Sequence, residues 1–249
     1  MKAYRVHEYG DTAKFIGEEV SKPSAKQGHV VVEVKASSLN PVDHKLLKCD
    51  LGINPALPGI LHMDVSGVIT EVGKGVTAFK TGDEIYGCAG GLQGEAGNIE
   101  GALADFMLAD SNLIALKPKS LNFSESAALP LVTITAWEGL FDRAHVKKED
   151  HVLIHGGTGG VGHIAIQLAK QHGARVATTV SSEEKAKIAR GLGAEDVIFY
   201  RDEKVEDYTQ RLTKGKGFDA VFDTIGADNL DKSLEAAKVR GQVISIIGT

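Results

Sequence analysis

Val152-Leu153-Ile154-His155-Gly156-Gly157-Thr158-Gly159-Gly160-Val161-Gly162 is the stretch whose reading decides the fold. Three apolar residues of strand length run into Gly157-x-Gly159-x-x-Gly162. Ile164-Ala165-Ile166-Gln167-Leu168-Ala169 then continues as a helix. A lone glycine triplet is a weak signal, but a strand before it and a helix after it supply the context it needs. The first glycine makes the turn, the second lets backbone approach a pyrophosphate, and the third lets helix pack on strand. Helix-terminal N–H groups then face the anion. The pattern predicts a dinucleotide held by Gly157, Thr158, Gly159, Gly160, Val161 and Gly162.

From His151 onward the texture stays regular. Strands are expected at 151–155, 175–180, 197–200, 220–223 and 242–247, with helices at 160–172, 182–191, 205–213 and 229–239 between them. Strands alternating with helices mean a doubly wound parallel sheet, an α/β Rossmann-type fold. Upstream, a long helix is expected over 131–144. The first ~125 residues look different: short strands near 30–34, 65–73, 84–87, 102–108 and 113–116, parted by Gly, Pro and Asn. This half reads as all-β and barrel-like with little helix, and the glycine-rich 90–101 as a loop. The expected division is residues 1–124 and 125–249.

Composition narrows the function. The chain has 249 residues, enough for two modest domains. Its net charge of −5 is mixed along the chain with no Lys/Arg block, which argues against a nucleic-acid partner. Apolar runs are strand-length, so no membrane span is expected. Met1–Val6 alternates like a strand and lacks a signal peptide's apolar core, which makes a cytoplasmic location the expectation. Two cysteines, Cys49 and Cys88, neither suggest a disulfide scaffold nor supply a four-cysteine zinc site. No metal is expected.

The end of the second Rossmann strand selects the cofactor. NAD enzymes usually place Asp or Glu there to hold the ribose 2′-OH. Here the residues are Thr178-Thr179-Val180-Ser181-Ser182, with Lys185 close behind. Hydroxyls and a cation suit a 2′-phosphate, which a carboxylate would repel. NADPH is therefore the expected cofactor. Glu183 and Glu184, early in the next helix, can face solvent.

Taken together, these features resemble the medium-chain dehydrogenase/reductases, and within them the zinc-independent quinone oxidoreductases. The resemblance spans essentially the whole chain. It rests on Ala36-Ser37-Ser38-Leu39-Asn40-Pro41-Val42-Asp43, Pro58-Gly59-Ile60-Leu61-His62-Met63-Asp64-Val65-Ser66-Gly67-Val68-Ile69, and Gly73-x-x-Val76-x-x-Phe79-x-x-Gly82-Asp83. Ala127-Ala128-Leu129-Pro130, Thr133-x-Thr135-Ala136-Trp137, the glycine motif and Leu192-Gly193-Ala194 complete it.

The resemblance implies a GroES-like N-terminal domain before the Rossmann domain. It also implies a hydride-transferring reductase of quinones or activated alkenes and carbonyls, acting on a small molecule without zinc. Asn40 and Asp43 would lie beside nicotinamide and substrate, and Thr135 at the nicotinamide end. Ser181, Ser182, Lys185 and Tyr200 would line the 2′-phosphate pocket. Thr224 and Ile247 would border the cofactor's ribose and ring. In zinc-dependent members a cysteine ligand would replace Asn40 and a histidine would stand near Met63. His62, one position off, is expected to pack or bond locally. The family normally continues beyond a strand like Gln242–Ile247, so a C-terminally truncated protein is expected, dimeric if that part is present. Two rival readings follow: a zinc-containing alcohol dehydrogenase, and an inactive NADPH-binding remnant. Turnover of a quinone separates enzyme from remnant.

Overall fold

The apolar runs of the front half become antiparallel strands in the computed structural model, which describes residues 1–94 and 97–247. The chain divides into two units, Met1–Leu131 and the part from Val132 onward. In the first unit, β1 (Lys2–Arg5) pairs antiparallel with β2 (Ile16–Glu19). There follow β3 (His29–Ser37), α1 (Pro41–Lys48), β4 (Asp64–Val72), β5 (Glu84–Cys88), β6 (Leu92–Gly94), β7 (Gly97–Ile99), β8 (Phe106–Asp110), β9 (Ile114–Leu116) and the short α2 (Phe123–Ala127). The main sheet runs β8-β3-β4-β5-β9, antiparallel throughout. Its apolar face buries Val30, Val32, Val65, Ile69, Ile85 and Met107 in one core. Removing such side chains from water is the dominant favourable contribution to folding.

Three features of this unit differ from the sequence reading. Residues 90–101, expected as a loop, contain the β6–β7 hairpin. Its three-residue strands are too short to show a period-2 pattern, and only packing of Leu92 beside Val6, Leu46 and Leu61 reveals it. The helix α1 was not expected. Asn40 is its N-cap residue, Pro41 opens it, and the Asp43 carboxylate reaches back to the Asn40 N–H at 2.7 Å. The strand expected over 102–108 begins only at Phe106.

The second unit carries most of α3 (Pro130–Trp137), which passes into a π-helical turn over Glu138–Arg143. A single α-helix over 131–144 was expected; the wider π turn cannot be read from side-chain periodicity. Next come β10 (His151–His155), α4 (Gly162–Gln171), β11 (Arg175–Val180), α5 (Glu183–Leu192), β12 (Asp196–Phe199), α6 (Val205–Thr213), β13 (Phe218–Asp223), α7 (Asn229–Ala236) and β14 (Ala237–Ser245). The sheet order is β12-β11-β10-β13-β14, all parallel. The expected helix over 229–239 stops at Ala236, because Ala237 already pairs with Phe218 in β14. Strand order reverses between β10 and β13, and ligands of such sheets bind outside the strand carboxyl ends at that point. Among the described residues no helix is long and apolar enough to cross a membrane.

Candidate functional site

The glycine turn leaves β10 and enters α4 as its spacing predicts. The left-handed residue is Gly156, with φ 74, one position before the motif glycine expected to make the turn. Gly157 is needed for a different reason. A β-carbon there would stand 2.0 Å from Thr178 Oγ1 and 2.7 Å from Ile166 Cδ1. At Gly162 it would stand 2.2 Å from the Gly156 carbonyl oxygen. Gly159 and Gly160 are exposed, and a β-carbon on Gly160 would meet nothing nearer than Val132 Cγ1 at 3.8 Å. Two glycines thus close the turn upon itself and two leave backbone open beside the start of α4. That open backbone fits a pyrophosphate.

Three threonines fasten the turn. Thr178 Oγ1 donates to the Ile154 carbonyl at 2.6 Å, the Gly156 N–H donates to Thr179 Oγ1 at 3.1 Å, and Thr224 Oγ1 donates to the His155 carbonyl at 2.7 Å. Sequence reasoning treated Thr178 and Thr179 only as a strand end without a carboxylate; their anchoring role needs the β10–β11 register. His155 is buried, its Nε2 has no hydrogen-bond partner, and burial pulls its pKa down to about 4. Its Cα partner across the sheet is Asp223. Burial alone would raise the Asp223 pKa. The N–H groups of Gly226 and Ile225, with Asn229 and Ser233, outweigh that and hold it below the usual carboxylate range.

Other predicted residues lie along the same sheet edge. Ser181 and Ser182 follow β11, and Ser182 Oγ accepts the Lys185 N–H at 3.3 Å as the N-cap of α5. Tyr200 follows the neighbouring β12, and its N–H donates to the Val180 carbonyl. This brings Ser181 and Tyr200 to adjacent strand ends; Lys185 and Tyr200 are both exposed. Thr224 stands over Gly156, and Ile247 packs against Gly226. Thr135 lies half-buried on α3. On the same helix and the π turn, Thr133, Ile134, Trp137, Glu138, Asp142 and Arg143 line an open cavity of about 520 Å³.

The first unit gathers a separate polar cluster. Asn40 Nδ2 donates to Ser38 Oγ at 3.0 Å and to Asp64 Oδ2 at 2.9 Å; Ser38 Oγ donates to the same carboxylate at 2.6 Å. Asp64 Oδ1 accepts the Leu131 N–H at 2.9 Å. Asn40, Asp43 and Asp64 are all buried. The sequence marked Asn40 and Asp43 but missed Asp64 as the acceptor that organises Asn40 and Ser38, since only the fold brings the start of β4 to these residues. Burial pushes both aspartates above the usual carboxylate range, and hydrogen bonds oppose it. The Cys88 thiol beside Asp64 is pushed up to about 12, so it is no nucleophile. His62 is half-buried, with Nδ1 2.8 Å from Ser37 Oγ. It bonds locally, as expected. Among the described residues no three His, Cys, Asp or Glu side chains are placed to hold a metal.

Comparison with known proteins places this architecture. The family model for the alcohol dehydrogenase GroES-like domain matches residues 26–119, and that for zinc-binding dehydrogenase matches residues 160–248. Quinone oxidoreductase of Pongo abelii is 32% identical, covering 99% of this chain and 73% of its own length. The chain belongs to the medium-chain dehydrogenase/reductase superfamily, on its quinone-oxidoreductase-like branch. Its α/β architecture is the one that family uses, a GroES-like domain followed by a Rossmann domain. Two further relatives are similar: 2-methylene-furan-3-one reductase of Solanum lycopersicum, 37% identical, and the chloroplastic NADPH-dependent alkenal/one oxidoreductase of Arabidopsis thaliana, 36% identical. All of this chain aligns with each, yet it spans only 62% and 63% of their lengths. Among solved structures, an alcohol dehydrogenase superfamily protein from Novosphingobium aromaticivorans superposes with a TM-score of 0.91 at 40% identity, covering 100% of this chain and 73% of its own.

Proposed function

We propose that this chain carries the working parts of an NADPH-dependent reductase that moves a hydride to quinones or to activated alkenes and carbonyls without zinc. The observation that carries the reading is the sheet edge of the second unit. There a glycine turn with open backbone adjoins a strand end bearing Ser181 and Ser182 instead of a carboxylate, with Lys185 and Tyr200 close by. NADPH, when bound, supplies the hydride. In this reading Gly157, Thr158, Gly159, Gly160, Val161 and Gly162 receive the pyrophosphate at the start of α4. Ser181, Ser182, Lys185 and Tyr200 bind the 2′-phosphate through hydroxyls and one cation. Thr224, Ile247 and Thr135 border the ribose and the nicotinamide. Asn40 and Asp43 hold the substrate's polar end, with Asn40 oriented by Ser38 and Asp64.

The relatives named for quinone and alkenal/one reduction support the substrate class. The ligand is a small molecule and not a nucleic acid. A cytoplasmic location belongs to the same reading, as does a homodimer when the C-terminal part is present, and fractionation and sedimentation test them. The deciding experiment is NADPH oxidation by this chain over a panel of quinones, enones and aldehydes, with fluorescence titration of NADPH and NADH alongside. Turnover with a quinone or enone and tighter binding of NADPH are expected. Tighter NADH binding, or turnover only after zinc is added, would overturn the reading.

A further inference from the structure

The strand β10 feeds the glycine turn, and its last residue, His155, is held from both neighbouring strands. On one side Thr224 Oγ1, just past β13, donates to the His155 carbonyl at 2.7 Å. On the other, the imidazole Nδ1 lies 3.3 Å from Thr179 Oγ1 on β11. That same hydroxyl oxygen accepts the Gly156 N–H at 3.1 Å. Gly156 is the left-handed residue at which the chain reverses, and its carbonyl accepts the Gly159 N–H at 2.9 Å. A run of contacts therefore joins the imidazole to the turn: His155 to Thr179, Thr179 to Gly156, Gly156 to Gly159.

Counting protons gives this run a direction. A threonine hydroxyl has one proton and two lone pairs, and a neutral imidazole has one N–H and one bare nitrogen. Gly156 occupies one lone pair of Thr179. With the ring proton on Nδ1, the imidazole would take the other lone pair. The hydroxyl proton would then have no acceptor among the described residues, and the bare Nε2 would have no donor. With the ring proton on Nε2, the hydroxyl donates to Nδ1, and the Nε2–H alone is left over. The second arrangement leaves one buried group unpaired in place of two, and each such group is costly. The surroundings hold the ring in it. His155 is only 3% exposed. The oxygens of Asp223, its cross-strand neighbour, already accept from Ile225, Gly226, Asn229 and Ser233. Burial lowers the imidazole pKa most, Asp223 opposes that, and Lys232 on α7 adds to it. The ring therefore stays neutral and Nδ1 stays an acceptor.

We propose that His155 is a positioning residue for cofactor binding: as the Nε2–H tautomer it orients the Thr179 hydroxyl, and through it the Gly156 N–H and the turn that receives the pyrophosphate. This rests on the reading of that turn as the pyrophosphate site. The pyrophosphate is common to NADPH and NADH. His155 therefore sets affinity for both alike and takes no part in choosing between them, unlike Lys185.

The test joins a spectroscopic measurement to titrations. The ring-nitrogen NMR shifts of His155, assigned by their absence in His155→Asn, should report the Nε2–H tautomer. An Nδ1–H tautomer overturns the proposal whether or not a cofactor binds. Fluorescence titrations of NADPH and NADH follow for His155→Leu, His155→Asn, Thr179→Val and the double variant His155→Leu/Thr179→Val, each with its melting temperature. Leucine fills the space but accepts nothing, whereas asparagine sets an oxygen near the place of Nδ1. His155→Leu should raise both Kd values about fivefold, the scale of one hydrogen bond, and His155→Asn should stay within about twofold of wild type. Thr179→Val should cost at least as much as His155→Leu, and the double variant no more than Thr179→Val alone, because both changes cut one path. Losses that add, a loss for one cofactor only, or Kd values that merely follow melting temperature across the set overturn the positioning role. A wild-type chain that binds NADH more tightly than NADPH overturns the NADPH reading and leaves this proposal standing. One that binds neither overturns both. If His155→Leu does not fold, the tautomer of the wild-type chain decides.

Discussion

Gly157 and Gly160 lie three residues apart in one loop, yet the geometry predicts opposite consequences for the same substitution. In Gly157→Ala the new methyl would start 2.0 Å from Thr178 Oγ1, 2.7 Å from Ile166 Cδ1 and 2.9 Å from Thr178 Cβ. These atoms belong to a buried strand and the buried face of α4, so something packed must move. Overpacking of this kind costs about 1–3 kcal/mol. Displacing Thr178 also disturbs its 2.6 Å hydrogen bond to the Ile154 carbonyl, a further loss of about 1 kcal/mol. The melting temperature should fall by roughly 5–10 °C. Thr178→Ala added to Gly157→Ala removes the closest of the clashing atoms and should recover part of that loss. In Gly160→Ala the nearest atom is Val132 Cγ1 at 3.8 Å, an ordinary contact. Its melting temperature should stay within about 2 °C of wild type, since the change in stability should be within about 0.5 kcal/mol. The methyl would instead occupy the space through which a pyrophosphate reaches the backbone. NADPH Kd should rise at least about tenfold, or about 1.4 kcal/mol. Differential scanning fluorimetry and fluorescence titration on the three variants decide the matter. A Gly157→Ala protein as stable as wild type, or a Gly160→Ala protein that melts early but binds NADPH normally, would refute the division of roles.

Other consequences are open to measurement. Lys185→Ala should weaken NADPH by about tenfold, roughly 1.4 kcal/mol for one charge-assisted contact, and leave NADH unaffected; equal losses in titration would remove Lys185 from the 2′-phosphate pocket. Burial of His155 lowers its pKa from 6.5 to about 4, so the unfolded chain takes up a proton first as pH falls. Stability should therefore be full above pH 6.5 and decline by about 3 kcal/mol down to about pH 4. Urea titrations of His155→Gln should show a flatter slope across that window, and an unchanged slope would assign the loss to other groups. Asn40 and Met63 are weak substitutes for thiolate and imidazole ligands. Chelator treatment should accordingly leave melting temperature and NADPH affinity unchanged, and stoichiometric zinc by elemental analysis would contradict that.

The Rossmann half was legible in the sequence because its information is local. Val152-Leu153-Ile154, the glycine spacing and the apolar face of 164–169 each act within a few residues, and the strand–helix period repeats down to Ser245. The missing carboxylate after β11 is likewise visible as letters. Tertiary structure alone decided what depends on residues far apart in the chain. It made Gly156 the left-handed residue and turned Gly157 against Thr178, twenty-one positions away in sequence. It formed the β6–β7 hairpin from segments too short to carry a pattern, and widened residues 138–143 into a π turn. It drew Asn40, Asp43 and Asp64 into one buried cluster with His62 half-buried nearby. In that cluster loss of water solvation, which no linear pattern records, pushes the carboxyl pKa values up and the imidazole's down. Sequence spacing specifies short-range geometry; burial and close approach are properties of the whole packed chain.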